Sequence, residues 1–354
     1  MTRWTVASLE RRSIVGMGGF ILLLHVAGWG VLGGLVIPQQ VAYGSQAFGL
    51  GLGVTAYTLG MRHAFDADHI AAIDNTTRAL LARGVRPLSV GFWFSLGHSS
   101  VVFALVALLG LGVTALAGQL ADESSLLQQV TGVVGTLVSG AFLLLIGLVN
   151  LGVLIGTVKV FRRMRSAGFD EAELEAQLSH RGLVNRLAGR ATRAVTRPWH
   201  LYPVGLLFGL GFDTATEVGL LVLAGGAAAL SLPWYAILTL PVLFAAGMSL
   251  LDTIDGLLMY FAYGWATTRP VRKVFYNLTV TGLSVAVALV IGGIELVSVL
   301  VDKTGIHAGP LAAIASIDLG EVGYLVVALF LATWLSAMAV WKLGRIEERW
   351  SRAG

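Results

Sequence analysis

The chain has 354 residues, of which 56% are hydrophobic and only 12% charged, with 45 glycines and a mean hydropathy of +0.80; these values exclude a soluble globular core and place it among polytopic membrane proteins. Cysteine is absent, which excludes disulfides, iron–sulfur clusters and thiolate metal sites and leaves oxygen and nitrogen to hold any metal. The net charge of +4 resides in loops, where it sets topology, so nucleic acid is not an expected partner and the lipid bilayer is.

Apolar runs long enough to cross about 30 Å of hydrocarbon are predicted over residues 13–37, 46–75, 88–116, 128–158, 201–230, 234–264, 273–301 and 319–341. The expected fold class is therefore all-α: a polytopic integral membrane protein with eight transmembrane helices forming one domain over residues 1–354. The first run begins after Arg11 and Arg12, is too long for a signal-peptide core and precedes no small-residue cleavage site, so it is read as a helix. The one long connection, 160–200, carries an acidic run from Asp170 to Glu175 followed by scattered arginines and reads as a solvated cytoplasmic loop.

Lysine and arginine sort by side. Arg3, Arg11 and Arg12 precede the first helix, Arg78, Arg83 and Arg86 fall in the second loop, and nine lie from Lys159 to Arg197. Arg269, Arg272 and Lys273, then Lys342, Arg345, Arg349 and Arg352, complete one face. Only Arg62, within a helix, and Lys303, on the other side, stand apart. The positive-inside rule then puts both termini in the cytoplasm. The expected location is the cell's inner, cytoplasmic membrane.

Four helices carry unusual polarity. The second holds His63, Asp66, Asp68, His69 and Asp74, the third His98, the fifth Asp213 and Glu217, and the sixth Asp252 and Asp255. A charged side chain at the bilayer centre costs about 2.5–3.5 kcal/mol on insertion scales, so such a cluster points to function. At about 100° per residue, His63, Asp66 and His69 share one sector of an ideal helix, whereas Asp68 points away and needs another neighbour, such as Arg62, or a local distortion. Asp213 and Glu217 are four apart and Asp252 and Asp255 three apart, so each pair projects from one side. At about 1.5 Å per residue, these groups lie about 9–18 Å from the cytoplasmic helix ends, a common level near the midplane.

Imidazole nitrogen with carboxylate oxygen suits divalent nickel, cobalt, zinc or copper, whereas calcium and magnesium need no histidine. The expected ligand set is His63, Asp66, Asp68, His69, His98, Asp213, Glu217, Asp252 and Asp255. Bland readings stand beside it: an isolated buried His98 is as often a hydrogen-bonded core residue, and Asp252 with Asp255 serves equally well as a bundle pair. His25 and His200 read as structural or interfacial, and Glu295 and Asn277 as supporting groups. Gly60, Gly97, Gly209, Gly211 and Gly247 read first as close-packing positions. A short echo between Ala64–Ala67 and Gly211–Thr214, and between Leu96–Ser99 and Ala246–Ser249, is what an inverted repeat leaves, although chance also produces matches of this length.

These segments together resemble the nickel/cobalt transporter family, NiCoT, of secondary metal-uptake permeases. The family's second-helix signature, His, four residues, then Asp-His, is met by His63, Asp68 and His69. Its Leu-Gly-His-Ser segment is met by Leu96 to Ser99, its Leu-Gly-Phe-Asp-Thr-Ala-Thr-Glu segment by Leu210 to Glu217, and its sixth-helix segment by Gly247 to Gly256. The resemblance spans nearly the whole chain. It implies high-affinity uptake of nickel or cobalt ions as transported substrate, with no permanently bound cofactor and the second-helix motif at the centre.

No Walker A loop is present, so this chain is not expected to hydrolyse ATP by that route; a secondary carrier that requires no ATPase subunit is the main reading. A metal-gated cation channel is the alternative within transport. A membrane acyltransferase with a His-x4-Asp pair at His63 and Asp68 is the rival from another class; it needs an interfacial domain that the chain has no room for, so no enzyme is expected.

Overall fold

A computed structural model describes residues 8–40, 42–43, 46–111, 119, 125–167, 195–211, 220–221, 223–227, 232–266 and 277–343. The described helices are α1 Ser8–Val31, α2 Leu50–His63, α3 Ala67–Leu81, α4 Val90–Gly110, α5 Leu126–Ala167, α6 Leu201–Phe208, α7 Trp234–Ala266, α8 Gly282–Thr304, α9 Pro310–Ala315 and α10 Leu319–Leu343. Strand is confined, among the described residues, to an antiparallel hairpin that pairs Ala42 with Ala47 and Tyr43 with Gln46 between α1 and α2.

Six helical segments are long and apolar enough to cross a membrane: Glu10–Gln39, Val90–Gly110, Gln129–Gly156, Trp234–Tyr263, Leu278–Thr304 and Leu319–Val340. The chain is thus a helical, multi-pass membrane protein. Predicted runs two and five are absent from this set for different reasons. Run two is not one helix: α2 stops at His63, Phe65 N–H and Asp66 N–H bond back to the carbonyls of Arg62 and His63, and Asp66 is extended, with ψ 141°, before α3 begins. Run five starts as α6 and turns at Gly209 and Leu210; residues 212–219 lie outside the described residues, and with them Asp213, Glu217 and one arm of the internal echo.

Three boundaries also move. Run three ends as a helix at Gly110 rather than 116, and α5 continues to Ala167, into what the sequence reads as the start of the 160–200 loop. The third correction concerns Arg78, expected in a cytoplasmic loop. It lies inside α3 and is buried, because Asp74 one turn earlier supplies its counter-charge.

The core is organised around α7, which packs against α1, α2, α3 and α4; α4 packs on α6, and α5 on α8. One apolar cluster joins Leu32, Val36, Phe48, Val102, Leu240, Leu243 and Phe244. A second joins Ile70, Ile73, Leu80, Phe94, Leu143, Phe208 and Ile291. Leucines on α1 and α10 such as Leu22, Leu23, Leu325 and Leu335 face outward, as expected where the solvent is hydrocarbon.

Glycine permits the crossings that bring the polar helices together. A Cβ at Gly60 would run into the Phe244 backbone, one at Gly247 into Tyr57, one at Gly91 into the Asp252 carbonyl, and one at Gly97 into the Tyr202 carbonyl, while Gly209 lies against the backbone of His98. The close-packing reading of these positions holds. Gly97→Val is expected to cost at least about 1–3 kcal/mol through overpacking at the α4–α6 crossing, read as lower thermal stability in detergent; an unchanged transition would mean that this contact relaxes freely.

Candidate metal centre

The break after His63 positions the site. α2 delivers His63 in its last turn, three residues change the chain's direction, and α3 delivers His69 in its first turn. The C-terminal carbonyls of α2 place partial negative charge beside His63, which favours a cation there. From α4 comes His98, held where Gly97 and Gly205 let α4 and α6 touch.

All three imidazoles are buried, and one nitrogen of each lies within 4.8 Å of the others. His63 Nε2 and His98 Nε2 are 2.9 Å apart. Two imidazole nitrogens at this distance share a proton, and it is also about the separation of adjacent ligands around a metal with metal–nitrogen bonds of about 2.1 Å. The ring centroids of His63–His69, His63–His98 and His69–His98 are 4.5, 4.6 and 4.9 Å apart.

Carboxylates back the rings. Asp66 Oδ2 lies 2.7 Å from His63 Nδ1, a contact that becomes an ion pair when the imidazole is protonated and that leaves Nε2 facing the other imidazoles. Asp252 Oδ2, from α7, is 3.5 Å from His69 Nδ1. Among the described residues neither ring nitrogen of His69 makes a hydrogen bond, nor does either oxygen of the buried Asp252. Buried polar atoms are ordinarily satisfied, so orphaned nitrogens facing orphaned carboxylate oxygens mark a place that a cation would complete. Phe94 stands edge-on to His69 at 4.8 Å and Phe244 lies 5.7 Å from His63, so the surroundings are apolar and strengthen any charge interaction.

The other expected ligands are distributed differently. Asp68 is half-buried, and its Oδ1 accepts the His69 backbone N–H at 2.8 Å in the first turn of α3. Arg62, offered by the sequence as its partner, is exposed; the local distortion is what the structure contains. Asp255 lies one turn beyond Asp252, half-buried, within electrostatic reach of both Asp252 and Asp74. Of the supporting groups, Glu295 accepts a hydrogen bond from Ser139 at 2.8 Å, and Asn277 opens the π-turn Asn277–Thr281 that leads into α8.

Sequence reasoning missed a second polar layer. Arg78 is paired with Asp74 at 3.3 Å, donates to Thr281 Oγ1 at 2.7 Å and lies 3.7 Å over the Tyr263 ring, while Tyr263 itself donates to Asp74. Asn150 of α5 donates to the side chain and backbone of Asn75 at 2.8 and 3.0 Å, and Asn75 donates to the Ser284 carbonyl at 3.2 Å. The signal was present: Asp74 and Arg78 are four apart, a spacing that pairs them on one helix face.

Fold and site together define a multi-pass membrane protein with a candidate transition-metal centre of three histidines and two carboxylates. The sequence profile of the NicO family, described as high-affinity nickel-transport protein, matches residues 49–340, and the chain belongs to this family. It is 58% identical over 337 residues to the nickel transporter NicT of Mycobacterium tuberculosis, an alignment covering 95% of this chain and 91% of the relative. It is 49% identical over 348 residues to the nickel transporter NixA of Staphylococcus aureus, covering 98% and 100%. The cobalt transport protein NhlF of Rhodococcus rhodochrous is 43% identical over 342 residues, covering 95% of this chain and 93% of that protein. No solved structure matches. The family resemblance carried by the four motifs therefore holds, and the family is one of metal transporters rather than enzymes.

Proposed function

We propose that this protein is a secondary carrier that takes nickel, cobalt or both into the cytoplasm, with the transported ion held between His63, His69 and His98. The observation that carries this reading is the orphaned polar pair of His69 and Asp252 beside the close His63–His98 contact, all buried in an apolar shell. Nitrogen donors with carboxylate support and no thiolate suit these ions. The printed names of the relatives, nickel transporters and a cobalt transport protein, point the same way.

In this reading Asp66 orients His63, Asp68 holds the turn carrying His69, and Asp252 neutralises the ion. Asp213, Glu217 and Asp255 supply further carboxylates along its route. The six long helices, the α2–α3 pair and a fifth crossing from α6 onward make eight passes, with both termini in the cytoplasm and the chain in the cytoplasmic membrane. A divalent ion moving inward gains about 4.6 kcal/mol per 100 mV of inside-negative potential, enough to concentrate it without ATP or a partner ATPase.

The test is uptake of radioactive nickel into cells or lipid vesicles holding the intact protein, with cobalt, zinc and manganese as competitors. Saturable uptake at low metal, strengthened by an inside-negative potential and competed best by cobalt, is expected. Non-saturating conductance would overturn the carrier in favour of a channel, and no metal-dependent flux would overturn transport by this chain.

A further inference from the structure

A cleft of about 410 Å³ lies between the end of α3, the middle of α5 and the start of α6, and none of its lining residues belongs to the metal centre. Phe142, Ile146 and Val149 of α5 and Val204 and Leu207 of α6 make its wall. Arg83 joins it from the segment after α3, and Trp199 and His200 from the 3₁₀ turn before α6. α6 runs inward from His200, so at about 1.5 Å per residue Leu207 lies about 10 Å further along the cleft. One end is therefore cationic and polar and the other apolar, the polarity profile of a phospholipid.

The polar end suits an oxyanion. Arg83 is exposed, and its Nη1 donates to the Val195 carbonyl at 3.0 Å, which holds the guanidinium at the rim. Thr196 N–H donates to His200 Nδ1 at 3.3 Å, so the neutral ring carries its proton on Nε2, as a donor. Trp199 is exposed and stands edge-on to His200 at 4.3 Å; tryptophan is enriched at the level of lipid headgroups. None of the described lining residues is acidic. At the apolar end Leu145 and Leu207 are exposed, so the cleft opens sideways to hydrocarbon.

We propose that this cleft binds one anionic phospholipid, with the phosphate at Arg83 and His200 and one acyl chain laid along α5 and α6. Charge complementarity selects the headgroup: a guanidinium meets a phosphate through paired N–H···O bonds, and basic pockets between helices on the cytoplasmic side hold anionic headgroups. A zwitterionic lipid offers the same phosphate but brings a cationic group toward Arg83 and the exposed Arg197. The volume falls within the range of about 300–1,000 Å³ of small-ligand pockets. A lipid seated there braces α3, which carries His69, and α6, on which α4 rests through Gly97 and Gly205 beside His98. The carrier reading enters only in naming the leaflet.

The test is mass spectrometry of the intact protein released from mixed micelles of detergent, phosphatidylglycerol and phosphatidylcholine. The parent is expected to retain one phosphatidylglycerol with about a fivefold preference over phosphatidylcholine, the effect of one basic side chain at a membrane surface. Arg83→Gln should bring the preference near parity. Arg86→Gln removes the same charge from an arginine that pairs with Glu10 outside the cleft, and should keep it. Leu145→Trp, which fills the cleft from its exposed side, should lower retention with Arg83 intact. Because Arg83 and Leu145 are both exposed, these variants leave the core undisturbed. Equal retention of the two lipids by the parent, or an unchanged preference in Arg83→Gln, overturns the proposal. So does an equal loss in Arg86→Gln, since general positive charge would then suffice, and so does undiminished retention in Leu145→Trp, which would place the lipid elsewhere. No readout depends on metal transport, so the carrier reading stands or falls separately.

Discussion

Alanine at His63 or His69 is expected to abolish nickel accumulation at low external metal while folded protein continues to reach the membrane. Even disturbing a group that only orients a metal ligand costs about 10–100-fold in affinity, so removing one of three nitrogens should cost more. His69→Ala is the sharper case. The ring makes no hydrogen bond among the described residues, so its removal relieves a buried unsatisfied group worth about 1–3 kcal/mol, which offsets much of the cavity left behind. Thermal stability in detergent should therefore change little while uptake is lost. Stabilisation of the parent by added nickel should vanish as well. Full uptake by both folded variants would remove the triad from the mechanism.

The second large effect is expected in the Asp74–Arg78 layer and concerns stability. Arg78→Met leaves Asp74 as an uncompensated charge at a fully buried position, which should cost about 3–5 kcal/mol. Combining it with Asp74→Asn removes both charges and keeps an acceptor for the Tyr263 hydroxyl, so most of that loss should be recovered. Thermal unfolding of the parent, the two single variants and the double variant in one detergent measures the coupling. Equal losses in Arg78→Met and in the double variant would show that packing against Tyr263, and not the charge pair, holds this layer.

Much of this was legible in the chain because membrane constraints are strict. Long apolar runs dictate helices, since no other unpaired backbone survives in hydrocarbon, and six of the eight predicted runs appear as continuous spans among the described residues. The histidines were legible because imidazoles are rare in such surroundings. What helical periodicity could not convey was the break between them. An ideal helix through His63, Asp66 and His69 also puts them on one face, so the helical wheel gave a similar grouping from a wrong backbone. The overlooked signal was a helix start inside the run, with Asp66 preceding α3 and Asp68 in its first turn. Arg78 was misplaced because a boundary set by hydropathy stops at the first charges, whereas a paired aspartate and arginine extend the buried helix by another turn. The contact of α10 with the α2–α3 break was beyond sequence reasoning: only the fold brings Gly323 against the Phe65 backbone.

Under the proposed carrier reading, the division of the three imidazoles among α2, α3 and α4 has a bearing on how one ion would be told from another. Were the rings on one helix, their spacing would be set by side-chain rotamers and would adjust to any cation of suitable charge. Here the aperture between the nitrogens is a dimension of the bundle. It is fixed where backbones touch at Gly60 against Phe244, Gly91 against Asp252 and Gly97 against Tyr202. In the proposed carrier, discrimination between cations of nearly equal radius is then a property of helix spacing, tuned by glycines that would never meet the metal.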